Sequence, residues 1–177
     1  MRILYALDLY RPSIDGVGVS IERQAIGLAG RGHEVAIVAP GQRLADYEEL
    51  EGEVTVFRAK AVKILMDRWR LAIKPRQSVE QAVRSFAPNV IVVSLPLPLN
   101  WFASQLAREL ALPLVGITAT MPEWLLYSVG VLKPFAEFLQ PRLWRLLTKY
   151  YNRCDFVIGV TPTALGYLKG HGLSRPS

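Results

Sequence analysis

The sequence predicts a doubly wound α/β domain built on a mostly parallel sheet. Three observations predict it. Apolar runs rich in Val and Ile alternate with helical segments along the whole chain. Those runs, among them EVAIVAP, NVIVVS and LPLVGIT, lack period-two alternation. A continuous apolar run marks a strand covered by helices on both faces, which is the signature of a parallel sheet. The 177 residues, 51% hydrophobic and 20% charged, suit a single domain with a full core.

The elements follow in order. Arg2 to Asp8 is a short apolar strand, and the loop YRPSIDGVG after it is rich in Pro, Gly and Asp. A helix over about Val19 to Arg31 carries the stripe Ile21, Ala25, Ile26, Leu28 and Ala29, and Gly32 ends it. EVAIVAPG is the second strand and VTVFRA the third. Ser78 caps a helix that runs through Phe86, and Pro88 stops it. NVIVVS, ending at Ser94, is the fourth strand, and a helix over about Asn100 to Leu110 crosses back. LPLVGIT is the fifth strand, a long helix covers Pro134 to Tyr151, and DFVIGV is the sixth strand. Thr161, with Pro162 behind it, opens a last helix that ends near Gly172. Right-handed crossovers turn this order into a Rossmann-like sheet, on which ligands bind beyond the carboxyl ends of the strands.

Composition excludes several classes. One cysteine, Cys154, permits no internal disulfide, and with two histidines it makes a zinc site a poor reading; no metal site is expected. The uncharged stretch from Ser85 to Ala107 is long enough to span a bilayer, yet Pro88, Pro96 and Pro98 break it. The N-terminus MRILYALDLY does not read as a signal peptide, so a cytoplasmic setting is expected. No G-x-S-x-G elbow is present and no histidine follows a strand, which argues against a hydrolase triad.

Two groups of residues fall where ligands bind. After the first strand come Asp15, Gly16, Val17 and Gly18. The spacing approaches a dinucleotide fingerprint, but Ile21 stands at the third glycine position and no acid follows the second strand. What remains is either a glycine loop whose amides and helix dipole receive a phosphate, or a plain tight turn. After the fifth strand come Thr118, Thr120, Glu123 and Trp124, a mixture of hydroxyls, a carboxylate and a flat aromatic that suits a carbohydrate. The alternative is that Glu123 caps a helix and Trp124 is core. Ser94 joins this set at the end of the fourth strand.

The charge sits in one segment. Arg58, Lys60, Lys63, Arg68, Arg70, Lys74 and Arg76 stand against Asp67 alone, which accounts for the whole net charge of +6. A helix from Val62 to Ile73 would gather Leu65, Met66, Trp69 and Ile73 on one face, with the cations on others. Such a basic amphipathic helix, with Trp69, suits an anionic membrane surface. The other reading has the apolar face packed on the sheet and the cations solvated. No RNA-binding motif accompanies the segment, so nucleic acid is not an expected partner.

The pattern P-S-I-D-G-V-G, a helix ending R-G-H-E-V, M-P-E after the fifth strand and R-C-D-F-V-I-G-V-T-P-T at the sixth together resemble one family. They are similar to the N-terminal domain of GT-B glycosyltransferases of the large retaining family four. The first loop is similar to that of members that glycosylate lipids, such as diacylglycerol glucosyltransferases, among which Met-Pro-Glu is also found. The resemblance implies that residues 1–177 form the acceptor-binding half of an enzyme that moves a sugar from a nucleotide-sugar to a hydroxyl, here a membrane lipid. It implies Asp15, Gly16, Val17 and Gly18 near the donor phosphate or acceptor, and Ser94, Thr118, Thr120 and Glu123 on the acceptor side. It implies no cofactor, with the nucleotide-sugar a substrate held mainly by a domain outside these residues. This half would then be inactive alone, and would lie peripherally on the inner face of the membrane. Where the family often carries a histidine two residues before Met-Pro-Glu, this sequence has Ala119. A polyanion- or nucleotide-binding module without transferase activity is the rival reading.

Overall fold

The computed structural model describes residues 1–11, 16–64, 69–118 and 136–177. They divide into two compact units, Met1–Leu114 and Val115–Ser177.

In the first unit, β1 (Arg2–Ala6), β2 (Glu34–Pro40), β4 (Val54–Ala59) and β7 (Val90–Val93) are parallel, and β3 (Tyr47–Glu51) pairs antiparallel with β4. The order is β3-β4-β2-β1-β7. Ile3, Leu4, Val35 to Ala39, Val56 and Ile91 are buried, as continuous apolar runs require. Three helices accompany these strands: α1 (Gly16–Ala29), α2 (Pro75–Phe86) and α3 (Pro98–Glu109). Beyond β1 the chain builds outward through β2 to β4, then returns to place β7 on the other flank of β1. Strand order therefore reverses between β1 and β7.

Helix ends follow local chemistry. Gly32 adopts φ +83°, and its amide bonds to Ala29 while that of His33 bonds to Leu28. This paired closure of a helix C-terminus needs a left-handed residue, so the glycine is required there. Helix α2 starts at Pro75, three residues before the expected cap. A proline fits the first helical position because its missing N–H would have no helical partner there. Ser78 is thus not the cap. It is buried in the helix, and its hydroxyl donates to Asp46 Oδ1 at 3.0 Å.

The larger correction concerns residues 61–72. The expected helix from Val62 to Ile73 does not form. β5 (Ala61–Ile64) and β6 (Trp69–Ala72) make a separate antiparallel hairpin in which Ala61 faces Ala72 and Val62 faces Leu71. Ala61 and Ala72 are buried while Val62 and Leu71 are exposed, which is the alternation of a strand with one wet face.

In the second unit, β8 (Leu114–Thr118) runs parallel to β9 (Phe156–Gly159). Among the described residues of this unit, helix α4 (Ala136–Tyr151) and helix α5 (Pro162–Gly170) accompany these strands. The Thr161 hydroxyl accepts from the Ala164 amide at 3.1 Å and caps α5 as expected. His171 stacks on the buried Trp144 ring, with centroids 4.7 Å apart. The C-terminal stretch lies along β9. The Val157 amide donates to the Pro176 carbonyl at 2.9 Å, and Asn152 bonds Gly172, Ser174 and Arg175. The sequence reading of a mostly parallel α/β architecture is therefore correct. Beyond it stand the edge strand β3 and the hairpin β5–β6.

Candidate functional site

In an open parallel sheet the two crossovers leaving the point of reversal diverge and leave a crevice at the strand carboxyl ends. Here that point is β1 beside β7. Asp8 follows β1 and Ser94 follows β7. Both are buried, and Asn100 in the first turn of α3 links them. Asp8 accepts from the Leu99 amide at 2.9 Å, the Asn100 amide at 3.1 Å and Asn100 Nδ2 at 2.8 Å. Asn100 Oδ1 in turn accepts from the Ser94 amide at 2.7 Å.

This arrangement explains how α3 starts. Its N-cap, Leu97, has no side chain able to accept an amide, and Pro98 follows. Asp8, from a strand more than ninety residues earlier in the chain, supplies the missing acceptor and places a negative charge at the positive end of the helix. Desolvation holds the Asp8 carboxyl above its ordinary range, and the bonds from Leu99 and Asn100 offset only part of that rise.

Helix α1 differs. Its first turn contains no acidic residue. Gly16 is exposed and outside the left-handed region, and a Cβ built on it meets nothing within 4 Å. Neither backbone conformation nor neighbouring atoms among the described residues require glycine there. Gly18, by contrast, is buried in the helix. The site thus has two helix N-termini, one filled by the protein's own carboxylate and one without an acid in its first turn.

The other expected site residues fall as follows. Gly16, Val17 and Gly18 form the start of α1, while Asp15 lies outside the described residues. Ser94 sits in the crevice as a backbone donor to Asn100. Thr118 is the last residue of β8, in the second unit, and is buried. Close by in the same unit, the fully buried Tyr151 donates to the Ile117 carbonyl at 3.2 Å, and burial raises its phenol. Thr120 and Glu123, with Ala119 and Trp124, lie outside the described residues.

The basic set is reduced. Arg58 does not belong to an exposed interface: it is 3% exposed and pairs with Glu49 at 2.6 Å and Glu51 at 2.7 Å. Arg76 is exposed but bridges Glu80 at 2.8 Å and Glu109 at 2.9 Å, so its charge is compensated. Arg70 donates to the Gly41 carbonyl at 3.2 Å, and the Lys60 amide donates to Asp46. Lys63 and Lys74 are exposed, Trp69 is half-buried, and Arg68 lies outside the described residues.

Sequence reasoning missed Asp8 and Asn100. Their signal was an acid directly after an apolar first strand, and an amide side chain in a helix whose cap position is leucine.

Comparison with known proteins agrees with this geometry. The family model described as Glycosyltransferase Family 4 matches residues 14–176. A GDP-mannose-dependent alpha-mannosyltransferase of Corynebacterium glutamicum is 26% identical over 98% of this chain and 41% of its own length. One of the same name from Mycolicibacterium smegmatis is 26% identical over 99% of this chain and 46% of its own length. The chain therefore spans less than half the length of the curated relatives it matches. Among solved structures, sucrose-phosphate synthase from Thermosynechococcus elongatus superposes with a TM-score of 0.63 at 12% identity, over 96% of this chain and 44% of that one. An S. aureus MnaA–UDP structure superposes with a TM-score of 0.55 at 14% identity, over 98% of this chain and 41% of that one. These likenesses bear on the fold, which is the Rossmann-like type found in GT-B proteins. With a reversal point between β1 and β7, a glycine start to α1, and a family match over nearly all its length, the chain belongs to Glycosyltransferase Family 4.

Proposed function

We propose that residues 1–177 form the acceptor-side half of a retaining glycosyltransferase, and that the first turn of α1 receives the phosphate of a nucleotide-sugar. The observation that carries this is Gly16. Among the described residues neither the backbone conformation nor a neighbouring atom demands a glycine there, which supports a helix N-terminus whose backbone a ligand can approach. The N-terminus of α3 is already occupied by Asp8, so the anion falls to α1.

The names of the relatives suggest GDP-mannose as donor, which favours mannose over the glucose of diacylglycerol glucosyltransferases. The nucleotide is assigned mainly to a second domain, because the relatives are more than twice as long as this chain. Residues 1–177 alone are accordingly assigned no turnover. Asp15 joins Gly16, Val17 and Gly18 on the donor-phosphate side, and Ser94, Thr118, Thr120 and Glu123 are assigned to the acceptor side. No residue is assigned as general base, and no cofactor enters the reaction. The half supplies orientation of the acceptor and preorganised amides at the phosphate.

A membrane lipid is the proposed acceptor. The hairpin β5–β6 favours this, because it exposes Val62 and Leu71, with Ile73 just beyond it, among Lys63 and Lys74. The enzyme would then lie peripherally on an anionic surface.

The test is Gly16→Val in the full-length protein. Transfer from GDP-mannose to a lipid extract is expected to fall at least tenfold, on the order of 1.4 kcal/mol, with thermal unfolding unchanged. Full activity in the folded variant would return the loop to a plain turn. Binding of polyanions with no transfer by the unmodified enzyme would favour the module reading instead.

A further inference from the structure

Arg58 is a buried cation that the proposed site does not use. Its side chain is 2% exposed, and its guanidinium reaches four acceptors. Nε donates to Glu49 Oε1 at 2.6 Å and Nη2 to Glu51 Oε1 at 2.7 Å. Nη1 donates to the Arg11 carbonyl at 2.6 Å and the Pro40 carbonyl at 3.3 Å. The guanidinium lies 5.1 Å from the Tyr10 ring centroid, and the Tyr10 hydroxyl donates to Glu51 Oε2 at 2.8 Å. Burial and the acid raise the Tyr10 phenol, which keeps it protonated and a donor.

A buried ion pair is a poor device for stability alone, since an apolar replacement of similar volume often does as well. Its advantage is geometric. The planar fork fixes several acceptors at once, which a lysine cannot do. Beyond β3, β4 and the end of β2, what this fork fixes is the chain at Tyr10 and Arg11. Arg11 then carries the connection onward: its side chain grips Glu22 through two bonds, Nη2 to Oε1 at 2.7 Å and Nε to Oε2 at 3.1 Å. Glu22 lies in the second turn of α1.

We propose that Arg58 is a positioning residue for α1. Through the Arg11 carbonyl and the Arg11–Glu22 pair it sets where the first turn of that helix stands, and so where a donor phosphate meets its amides. The last step rests on the proposed phosphate role of α1.

The experiment uses the full-length enzyme with Arg58→Lys, which keeps the charge and loses the fork, and with Arg11→Met. The second variant removes an exposed guanidinium while leaving the carbonyl that Arg58 holds, so it folds even where the first does not. Two readouts are taken. Hydrogen exchange is followed at the Ser20 and Ile21 amides, which bond to the Gly16 and Val17 carbonyls in a regular helix. KM and kcat are measured with GDP-mannose. Both variants are expected to speed exchange at these amides at least threefold while β2 amides keep their rate. They are expected to raise KM at least fivefold with kcat within twofold, the pattern of lost ground-state binding. Unchanged exchange in Arg11→Met overturns the relay, whatever the kinetics show. Faster exchange with unchanged KM leaves the hold on α1 standing and overturns the phosphate role beneath it.

Discussion

At Asp8 one carboxylate does the work of a helix cap from a distant strand, and its protonation is tied to stability. Its folded value is raised above the ordinary 3.8 by desolvation. A carboxyl raised by folding holds its proton more tightly in the native state than in the unfolded one. Its contribution is therefore complete below the ordinary value, and is lost as pH rises through the folded value. We expect the unfolding free energy of the wild type relative to Asp8→Asn to shrink as pH climbs from about 4, at up to about 1.4 kcal/mol per pH unit within the window. Urea unfolding of both proteins across that range checks it, and a wild-type advantage that grows with pH would refute the sign. The pairing itself was not legible in the sequence. Asp8 read as the end of a strand, because its partners Leu99 and Asn100 become neighbours only once β1 and β7 pair. Thr161 was legible, because its partner, Ala164, lies three residues on and the signal is local.

Among the elements, those whose sequence admits one period were read correctly. β2 is a continuous apolar run with no rival reading, and β7 lost its rival, a bilayer span, to the prolines around it. Residues 61–72 admitted two. Leu65, Met66, Trp69 and Ile73 trace a helical face, yet the Ala61–Ala72 and Val62–Leu71 pairs also alternate as strands do. Backbone pairing across a short connection decided for the hairpin, a nonlocal term that a helical wheel cannot show. β3 was passed over because YEELE is acidic and short, which is how an edge strand avoids pairing with other chains. The close approach of β2's end to this edge yields a prediction. A Cβ on Gly41 would lie 2.9 Å from Tyr47 Cε1 and 3.0 Å from the Ala59 carbonyl oxygen, with little room to relax. Gly41→Ala is expected to lower stability by about 1–3 kcal/mol. Gly27→Ala, in the exposed face of α1 with nothing within 4 Å, is expected to raise it by about 0.5–1 kcal/mol. Thermal unfolding of the two variants tests the pair, and equal signs would refute the packing argument.

Over the whole molecule, the parallel α/β plan was legible because alternation of strand and helix is a property of the entire chain. The charge was half legible. The sequence located the excess in residues 58–76, but not that Arg58 and Arg76 carry their own carboxylates. The membrane reading now rests on Lys63, Arg70 and Lys74 with Val62, Leu71 and Ile73. Each cation near an anionic bilayer contributes on the order of 1 kcal/mol. Co-sedimentation with phosphatidylserine vesicles at low salt is expected for the protein, with loss at high salt and in the Lys63, Arg70 and Lys74→Glu variant. Equal sedimentation of the variant would sink this docking face. No helix among the described residues is long and apolar enough to cross a membrane. The C-terminal stretch carries a consequence for handling the protein. By bonding to the Val157 amide, Pro176 covers part of a strand whose Phe156 and Ile158 are exposed, as is Val160 just beyond it. A version cut back before Leu173 would bare that amide beside three apolar side chains. Such a strand recruits its own copies, so an expression trial with the shorter boundary would yield aggregate where the longer one yields monodisperse protein.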